Sequence, residues 1–340
     1  MTSKPTSVAL VDEGVERNAD GGHRAHLGAS IIGGHCDRAI WYTFFWCQVS
    51  TFSGRMLRLF QRGHDEEPRI IEWLRQAGIE IVSVNPNTGE QYRFKAVGGH
   101  MGGSMDGAGK GFAESPDEWM VVEFKTSGDR AFKDLVKNGV EKSKPQHHGQ
   151  TNLYMHWTGM KKAFYLVVNK NDDTLYQEII EYDQNIAERL INKARTIITS
   201  DTPPEKISDN PGWYQCKWCD FNNICHGTDL PEVNCRTCIH ATAELDGDAR
   251  WSCAVGSKFG TTCDKHLYKP SLLSFATIQS ADQAKNTIEY RKETGATFAN
   301  GPGFPAYRST EIKACGSKLI GEDKAIDMFR EKFDGRIICK

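Results

Sequence analysis

An α/β protein is predicted by three observations. Apolar residues recur at helical spacing over residues 55–77 (Met56, Leu59, Phe60, then Ile70, Ile71, Leu74). Beyond Gly78 the chain turns to short apolar runs separated by Gly, Pro and Asn, as strands are. The last of these runs gives way to a second helical pattern over 185–199, broken by Asp201-Thr202-Pro203-Pro204. With 340 residues, 39% apolar and 25% charged, the chain can bury one large core or two, and wholesale disorder is excluded. Net charge is −2, so attraction to a nucleic acid would have to come from a local patch. No apolar run approaches the roughly 18 residues of a membrane span, and residues 1–30 lack the apolar core of a signal peptide. A cytoplasmic protein with no membrane partner is expected. In that reducing setting the eleven cysteines are tested for metal before disulfides.

Residues 1–28 are polar and Gly-rich, and a mobile tail is expected there. A helical segment is expected from Ser30, an N-cap residue type, carrying Cys36-Asp37-Arg38 and an aromatic run to Cys47. The 55–77 helix holds Arg-Gly-His-Asp-Glu-Glu-Pro, and Pro68 fits a helix start or kink. Unaided, His64 and Glu67 read as exposed helix side chains. Residues 79–84 and 91–96 read as strands joined by an Asn-Pro-Asn-Thr-Gly turn into a hairpin.

The chain is organised around residues 97–125. Asp106 ends a Gly-rich approach that can come close to a ligand. Glu123 and Lys125 follow on the apolar run 119–124, and residues i and i+2 of a strand share a face, so the two project together while Phe124 goes to the core. A carboxylate on one strand, with a carboxylate and an ammonium on its neighbour, would hold a hard divalent cation beside a cationic group. That pairing suits attack of water on a phosphodiester. Glu-x-Lys alone also reads as a solvated strand face. Arg130, Lys133, Lys137, Lys142 and Lys144 follow, either as an ordinary helix surface or as a patch that tracks a nucleic-acid backbone. Gln150 and Tyr154 stand one helical turn apart on one face. Residues 164–168 and 175–182 read as a strand pair.

Cys216, Cys219 and Cys225 form C-x2-C-x5-C, a spacing specific for a metal or cluster. Three thiolates are one short of a full shell, so a distant cysteine is required: Cys36, with Cys47 as the fallback. Cys235, Cys238, Cys253 and Cys263 form a self-contained set that suits a tetrahedral structural zinc, with His240 and His266 as alternates. Cys315 and Cys339 read as ordinary thiols. Helical patterns are expected over 280–292 and 322–333, around an irregular Gly/Pro stretch.

Taken in order, five of these features resemble the RecB-type branch of the PD-(D/E)xK nuclease superfamily over about residues 30–225. Cys36-Asp37-Arg38 is similar to its early Cys-x-Arg, and Gly63 to Glu67 to its helical Gly-x-x-x-Glu/His. Asp106 with Glu123-Phe124-Lys125 is similar to its paired-strand core, and Gln150 to Tyr154 to its Gln-x-x-x-Tyr. Cys216, Cys219 and Cys225 are similar to the late array of members with a [4Fe–4S] cluster, such as AddB and the CRISPR-adaptation nucleases. Size and layout are similar to compact phage recombination exonucleases. Two departures stand out: Met105, not proline, precedes Asp106, and Glu67 stands where many relatives carry histidine, leaving His64 a second candidate.

The resemblance implies a PD-(D/E)xK restriction-endonuclease-like core, a mixed central sheet flanked by helices, over 29–228. A zinc-ribbon-like module (229–270) and a small α+β tail (271–340) would follow it. It implies that Glu67, Asp106, Glu123 and the Phe124 carbonyl hold Mg²⁺ or Mn²⁺, and that Lys125 orients water or stabilises developing charge. Gln150 and Tyr154 would position a DNA strand, and the basic run its backbone. Cys36 and the late trio would hold a [4Fe–4S] cluster that staples the first helix to the end of the nuclease domain, with zinc as the alternative. The implied activity is metal-dependent exonuclease action at DNA ends, in replication or recombination of a phage or mobile element in its host's cytoplasm. A single-strand-binding or annealing protein is the implied partner. The alternatives are a nuclease-fold DNA-binding adaptor without catalysis, and an interaction protein scaffolded by its zinc module.

Overall fold

The amino-terminal segment is helical where composition predicts a mobile tail. Thr6 caps helix α1 (Ser7–Arg17) by accepting from Ala9 N at 3.2 Å. Its charges have tertiary partners: Glu16 Oε1 accepts from Gly54 N at 2.7 Å, and Asp12 pairs with Arg58. The structure, a computed structural model, describes residues 6–19, 22–260 and 263–338, so Cys339 lies outside the described residues. It is a mixed α/β protein in two compact units, Met1–Gly34 with Ser50–Ala194, and His35–Val49 with Arg195–Lys340.

In the first unit the spacing over 55–77 forms one 23-residue helix, α2 (Gly54–Gln76). Ser53 caps it, and its buried stripe includes Ile70, Ile71 and Leu74. Pro68 sits inside it, neither starting nor ending it. The stripe packs on one face of a five-stranded sheet: β1 (Glu80–Val82), β2 (Gly107–Lys110), β3 (Met120–Ser127), β4 (Lys162–Asn169) and β5 (Leu175–Glu181), in that order. All neighbours are antiparallel except β3 and β4. A parallel pair needs a crossover, and α3 (Asp129–Ser143) with α4 (Pro145–Thr158) supplies it. Helix α5 (Gln184–Thr199) follows. Phe112, Met120, Val122, Phe124, Phe164, Leu166 and Val168 complete the core beneath α2. Phe124 therefore points inward, and Glu123 and Lys125 to the other face.

The 79–84 and 91–96 runs do not form a hairpin. Val97, Gly98 and Gly99 all have positive φ (50°, 62° and 85°), which reverses the chain immediately after Arg93–Ala96. That strand therefore pairs with Met101–Ser104, and Leu27–Gly28 adds on the far side to make a separate three-stranded sheet. β1 pairs with β2 instead.

In the second unit, Cys36, not Ser30, opens the first helix. Its sulfur accepts from Ala39 N at 3.4 Å and caps Asp37–Phe44, while Ser30 lies inside a single turn, Ala29–Ile32, of the first unit. Trp41 Nε1 donates to Ser200 O at 2.9 Å, and Arg38 Nε to Pro204 O at 2.6 Å. The 229–270 segment contributes a two-stranded ladder, Ala241–Ala243 with Trp251–Cys253. Residues 280–292 are strands where helical spacing is expected. Ala276–Asp282, Thr287–Lys292 and Thr297–Asn300 make an antiparallel meander, turned at Asn286 (φ 54°). Ile288, Tyr290 and Lys292 are buried at alternate positions, a period of two that the helical reading missed. The 322–333 pattern is the helix Lys324–Phe333, and Ser309–Leu319 forms a helix inside the stretch read as irregular. Among the described residues no helix is long and apolar enough to cross a membrane.

Candidate active site

Three elements of the first unit converge on one lysine. Glu123 and Lys125 stand on β3, Asp106 precedes β2, and Glu67 comes from α2. The Lys125 ammonium pairs with Glu123 Oε1 and lies 3.3 Å from the Phe124 carbonyl. Asp106 Oδ2 accepts from Phe124 N at 2.8 Å, which fixes the acid against the strand that carries the other two groups. Glu67 Oε1 accepts from Gln91 Nε2 at 2.9 Å. Glu123 is fully buried, and its Oε2 has no hydrogen-bond partner among the described residues.

The electrostatics follow from burial and like charge. Burial raises the Glu123 carboxyl well above the ordinary range; Lys125 pulls it back, and Asp106 and Glu67 add to the rise. Glu67 is raised by burial and by Asp106. For Lys125 burial favours the neutral amine, but Glu123, Asp106 and Glu67 together outweigh it and hold the proton on. An ammonium among three acids, one of them with a dry unpartnered oxygen, is a cation-seeking arrangement of hard donors. Among the described residues, no three His, Cys, Asp or Glu side chains already stand arranged to hold a metal ion.

Gln150 and Tyr154 share a face of α4, as their spacing predicts, and Gln150 Nε2 donates to Tyr154 Oη at 3.2 Å. Tyr154 donates in turn to Ser104 O at 2.6 Å, two residues before Asp106. Burial raises its pKa, so the hydroxyl keeps its proton. The glycines before Asp106 make room for this contact: a Cβ on Gly103 would lie 2.8 Å from Tyr154 Oη, and one on Gly102 2.4 Å from Phe94 O. Gly102 and Gly103 serve close packing of the protein on itself.

His64 is exposed on α2, and the structure does not bring it into the constellation. Arg130, Lys133 and Lys137 are exposed on α3, with Lys133 paired to Asp129. Lys142 is exposed beyond a break at Gly139, and Lys144 is half-buried. The sequence reading missed three residues. Gln91 holds Glu67, and Tyr165 lies beside Glu123 in the β3–β4 register. His147 Nδ1 meets Tyr165 Oη at 2.6 Å. Burial first, then the charges of Lys125 and Lys144, push His147 down to about 3, so it is neutral. A signal for His147 existed, since it lies one helical turn before Gln150; Tyr165 was hidden in an apolar run.

The two cysteine sets lie in the second unit. Cys36, Cys216, Cys219 and Cys225 line one cavity, which Cys47 does not; Cys47 lines another with Cys315. Burial raises the Cys219 and Cys225 thiols. Cys235, Cys238, Cys253 and Cys263 line a second cavity with His266. His266 Nδ1 is engaged by Ser309 Oγ at 2.8 Å and Nε2 by Asn234 O at 3.0 Å, while His240 Nε2 meets Asn286 Oδ1 at 2.7 Å. Cys235 Sγ accepts from Gly260 N at 3.2 Å.

Fold and site define a class: a mixed α/β protein with three acids, Glu123 buried and Glu67 and Asp106 half-buried, around one lysine. No family model matches the chain, and no curated protein matches it. Solved structures with some likeness include LHK-Exo in complex with dAMP, at 16% identity and a TM-score of 0.38 over 51% of this chain and 86% of that one. They also include an alkaline exonuclease (LHK-Exo) from Laribacter hongkongensis, at 17% identity and a TM-score of 0.36 over 52% and 87%. SSO0001 has 15% identity and a TM-score of 0.38 over 65% and 96%. Likenesses at this level carry no weight for function, which rests on the constellation itself.

Proposed function

We propose that this protein is a metal-dependent DNA exonuclease with a PD-(D/E)xK-type core. The observation that carries the reading is the dry, unpartnered Glu123 Oε2 in a fully buried carboxyl, facing Lys125 and in the field of Asp106 and Glu67. Glu67, Asp106, Glu123 and the Phe124 carbonyl would hold Mg²⁺ or Mn²⁺. When bound, such an ion lowers the pKa of a water and neutralises charge on a phosphate. Lys125 keeps its proton at neutral pH, so it acts as a fixed positive charge and hydrogen-bond donor toward an attacking water or a developing phosphorane, not as a base. Tyr154 braces the Ser104 carbonyl and so fixes the turn that presents Asp106. Gln91 does the same for Glu67. Arg130, Lys133, Lys137, Lys142 and Lys144 would meet the DNA backbone.

The thiols of Cys36, Cys216, Cys219 and Cys225 would hold a [4Fe–4S] cluster, or zinc in its place, and Cys235, Cys238, Cys253 and Cys263 a structural Zn²⁺. Each set lines a cavity of its own, which supports the reading. A phage or mobile-element setting and an annealing partner belong to the same proposal. Incubation of end-labelled linear and covalently closed circular DNA with Mg²⁺, Mn²⁺ or EDTA tests the activity. Loss of linear substrate alone, dependent on the ion, is expected; binding without loss under every condition would reduce the protein to an adaptor.

A further inference from the structure

His147 stands beside the acid–lysine constellation, and the proposed function gives it no part. Phe164 and Leu166 enter the core beneath α2, so Tyr165 between them projects to the opposite face, next to Glu123 across the β3–β4 pair. Helix α4 packs over that face and brings His147 Nδ1 within 2.6 Å of Tyr165 Oη. This bond fixes the tautomer of the imidazole. Tyr165 is buried and its hydroxyl has no other hydrogen-bond partner among the described residues, so the phenol donates and Nδ1 accepts. Burial, and then the charges of Lys125 and Lys144, keep the ring neutral, so its one proton sits on Nε2. Nε2 has no hydrogen-bond partner among the described residues. Because the Nδ1 edge meets a buried phenol, the part of this half-buried ring that reaches solvent is the edge carrying the Nε2 proton. One turn along the same face of α4, Gln150 Oε1 is buried without a partner. An unused donor and an unused acceptor on the face that α4 turns toward Glu123 point to a ligand rather than to packing.

We infer that His147 is a substrate-binding residue whose Nε2–H donates to a non-bridging oxygen of the phosphate adjoining the one that is cut. The inference rests on the proposed function in taking a DNA strand as the ligand. Its place follows from its neighbours. Lys125 lies two positions beyond Glu123 on the same strand face, and Lys144, the last of the basic run, caps the helix that carries His147. A strand passing from the constellation to the basic run therefore crosses the imidazole between them. A neutral donor suits that position, since phosphate oxygens only accept and the two lysines already supply charge. The bond adds direction, and no proton changes hands.

The test replaces the imidazole by each of its halves in the full-length protein. In His147→Asn the amide oxygen reaches the place of Nδ1 and keeps Tyr165, with nothing at Nε2. In His147→Gln the amide nitrogen reaches the place of Nε2, with nothing at Nδ1. KM and kcat for Mg²⁺-dependent cleavage of end-labelled linear DNA, Kd for the same DNA in EDTA by anisotropy, and urea midpoints are measured for wild type and both variants. His147→Asn is expected to raise KM and Kd by about ten-fold, the scale of one lost hydrogen bond to a charged group, with kcat and midpoint close to those of wild type. His147→Gln is expected to show the converse, a lowered midpoint with KM and Kd near wild type. Affinity that falls only in step with the midpoint would make His147 a brace for Tyr165 and overturn the inference. Wild-type KM and Kd in His147→Asn, with cleavage intact, would leave the proposed function standing and remove the phosphate contact. Weakened binding in His147→Asn, restored in His147→Gln, with no cleavage by any of the three proteins, would do the reverse. A wild type that binds no DNA would overturn both.

Discussion

At the scale of single residues, the site depends on contacts that exclude substitution for reasons of space and hydrogen bonding. A Cβ at Gly103 would collide with the Tyr154 hydroxyl at 2.8 Å. Gly103→Ala is therefore expected to displace Tyr154 and destabilise the fold by about 1–3 kcal/mol, the usual cost of overpacking. Tyr154→Phe removes the donor to Ser104 O without a clash, and its loss of activity should match that of Gly103→Ala although its loss of stability is smaller. Urea midpoints and cleavage rates of the two variants check this; a Gly103→Ala protein of wild-type stability would show that the glycine is not there for Tyr154. His147 is a second case. Tyr165 is buried, so His147→Ala leaves its phenol without that partner and is expected to cost about 1–3 kcal/mol by the same denaturation assay.

At the scale of elements, helix termini and cysteine sets decide local order. Ser53 accepts from Met56 N at the start of α2, so Ser53→Ala should lower the urea-derived stability by about 1 kcal/mol. For the first cysteine set, Cys36→Ala is expected to abolish bound iron, or the share of bound zinc that this set would hold, by elemental analysis, whereas Cys47→Ala should keep it, because Cys47 lines a different cavity. Equal metal loss in both variants would remove Cys36 from the ligand set.

Much of this was legible in the chain. Glu123 and Lys125 share a face, with Phe124 opposite, because strand geometry leaves no other choice. Cys36 lines one cavity with the distant trio, where the spacing of the trio called for a far cysteine and left Cys36 or Cys47 to supply it. What was illegible was pairing and long-range capture. The run 91–96 looked like half of a hairpin until the positive-φ reversal at Val97, Gly98 and Gly99 is considered. The polar segment over 1–28 looked mobile because its partners, Gly54 and Arg58, lie far along the chain. Residues 280–292 share both periods over a few positions, and only their burial decides for strand.

At the scale of the whole molecule, an acid–lysine constellation stands in one unit and two thiol-lined cavities in the other. The central claim is that Lys125, held charged by three acids, assists hydrolysis without being needed for folding or for DNA contact. The most direct measurement follows cleavage of end-labelled linear DNA by wild type and Lys125→Ala side by side in Mg²⁺, with DNA affinity and urea midpoint recorded on the same preparations. The account predicts that cleavage by the variant falls by about 10²-fold or more, the scale of a lost transition-state donor, while affinity and midpoint stay near those of wild type. Undiminished Mg²⁺-dependent cleavage by the variant would contradict it.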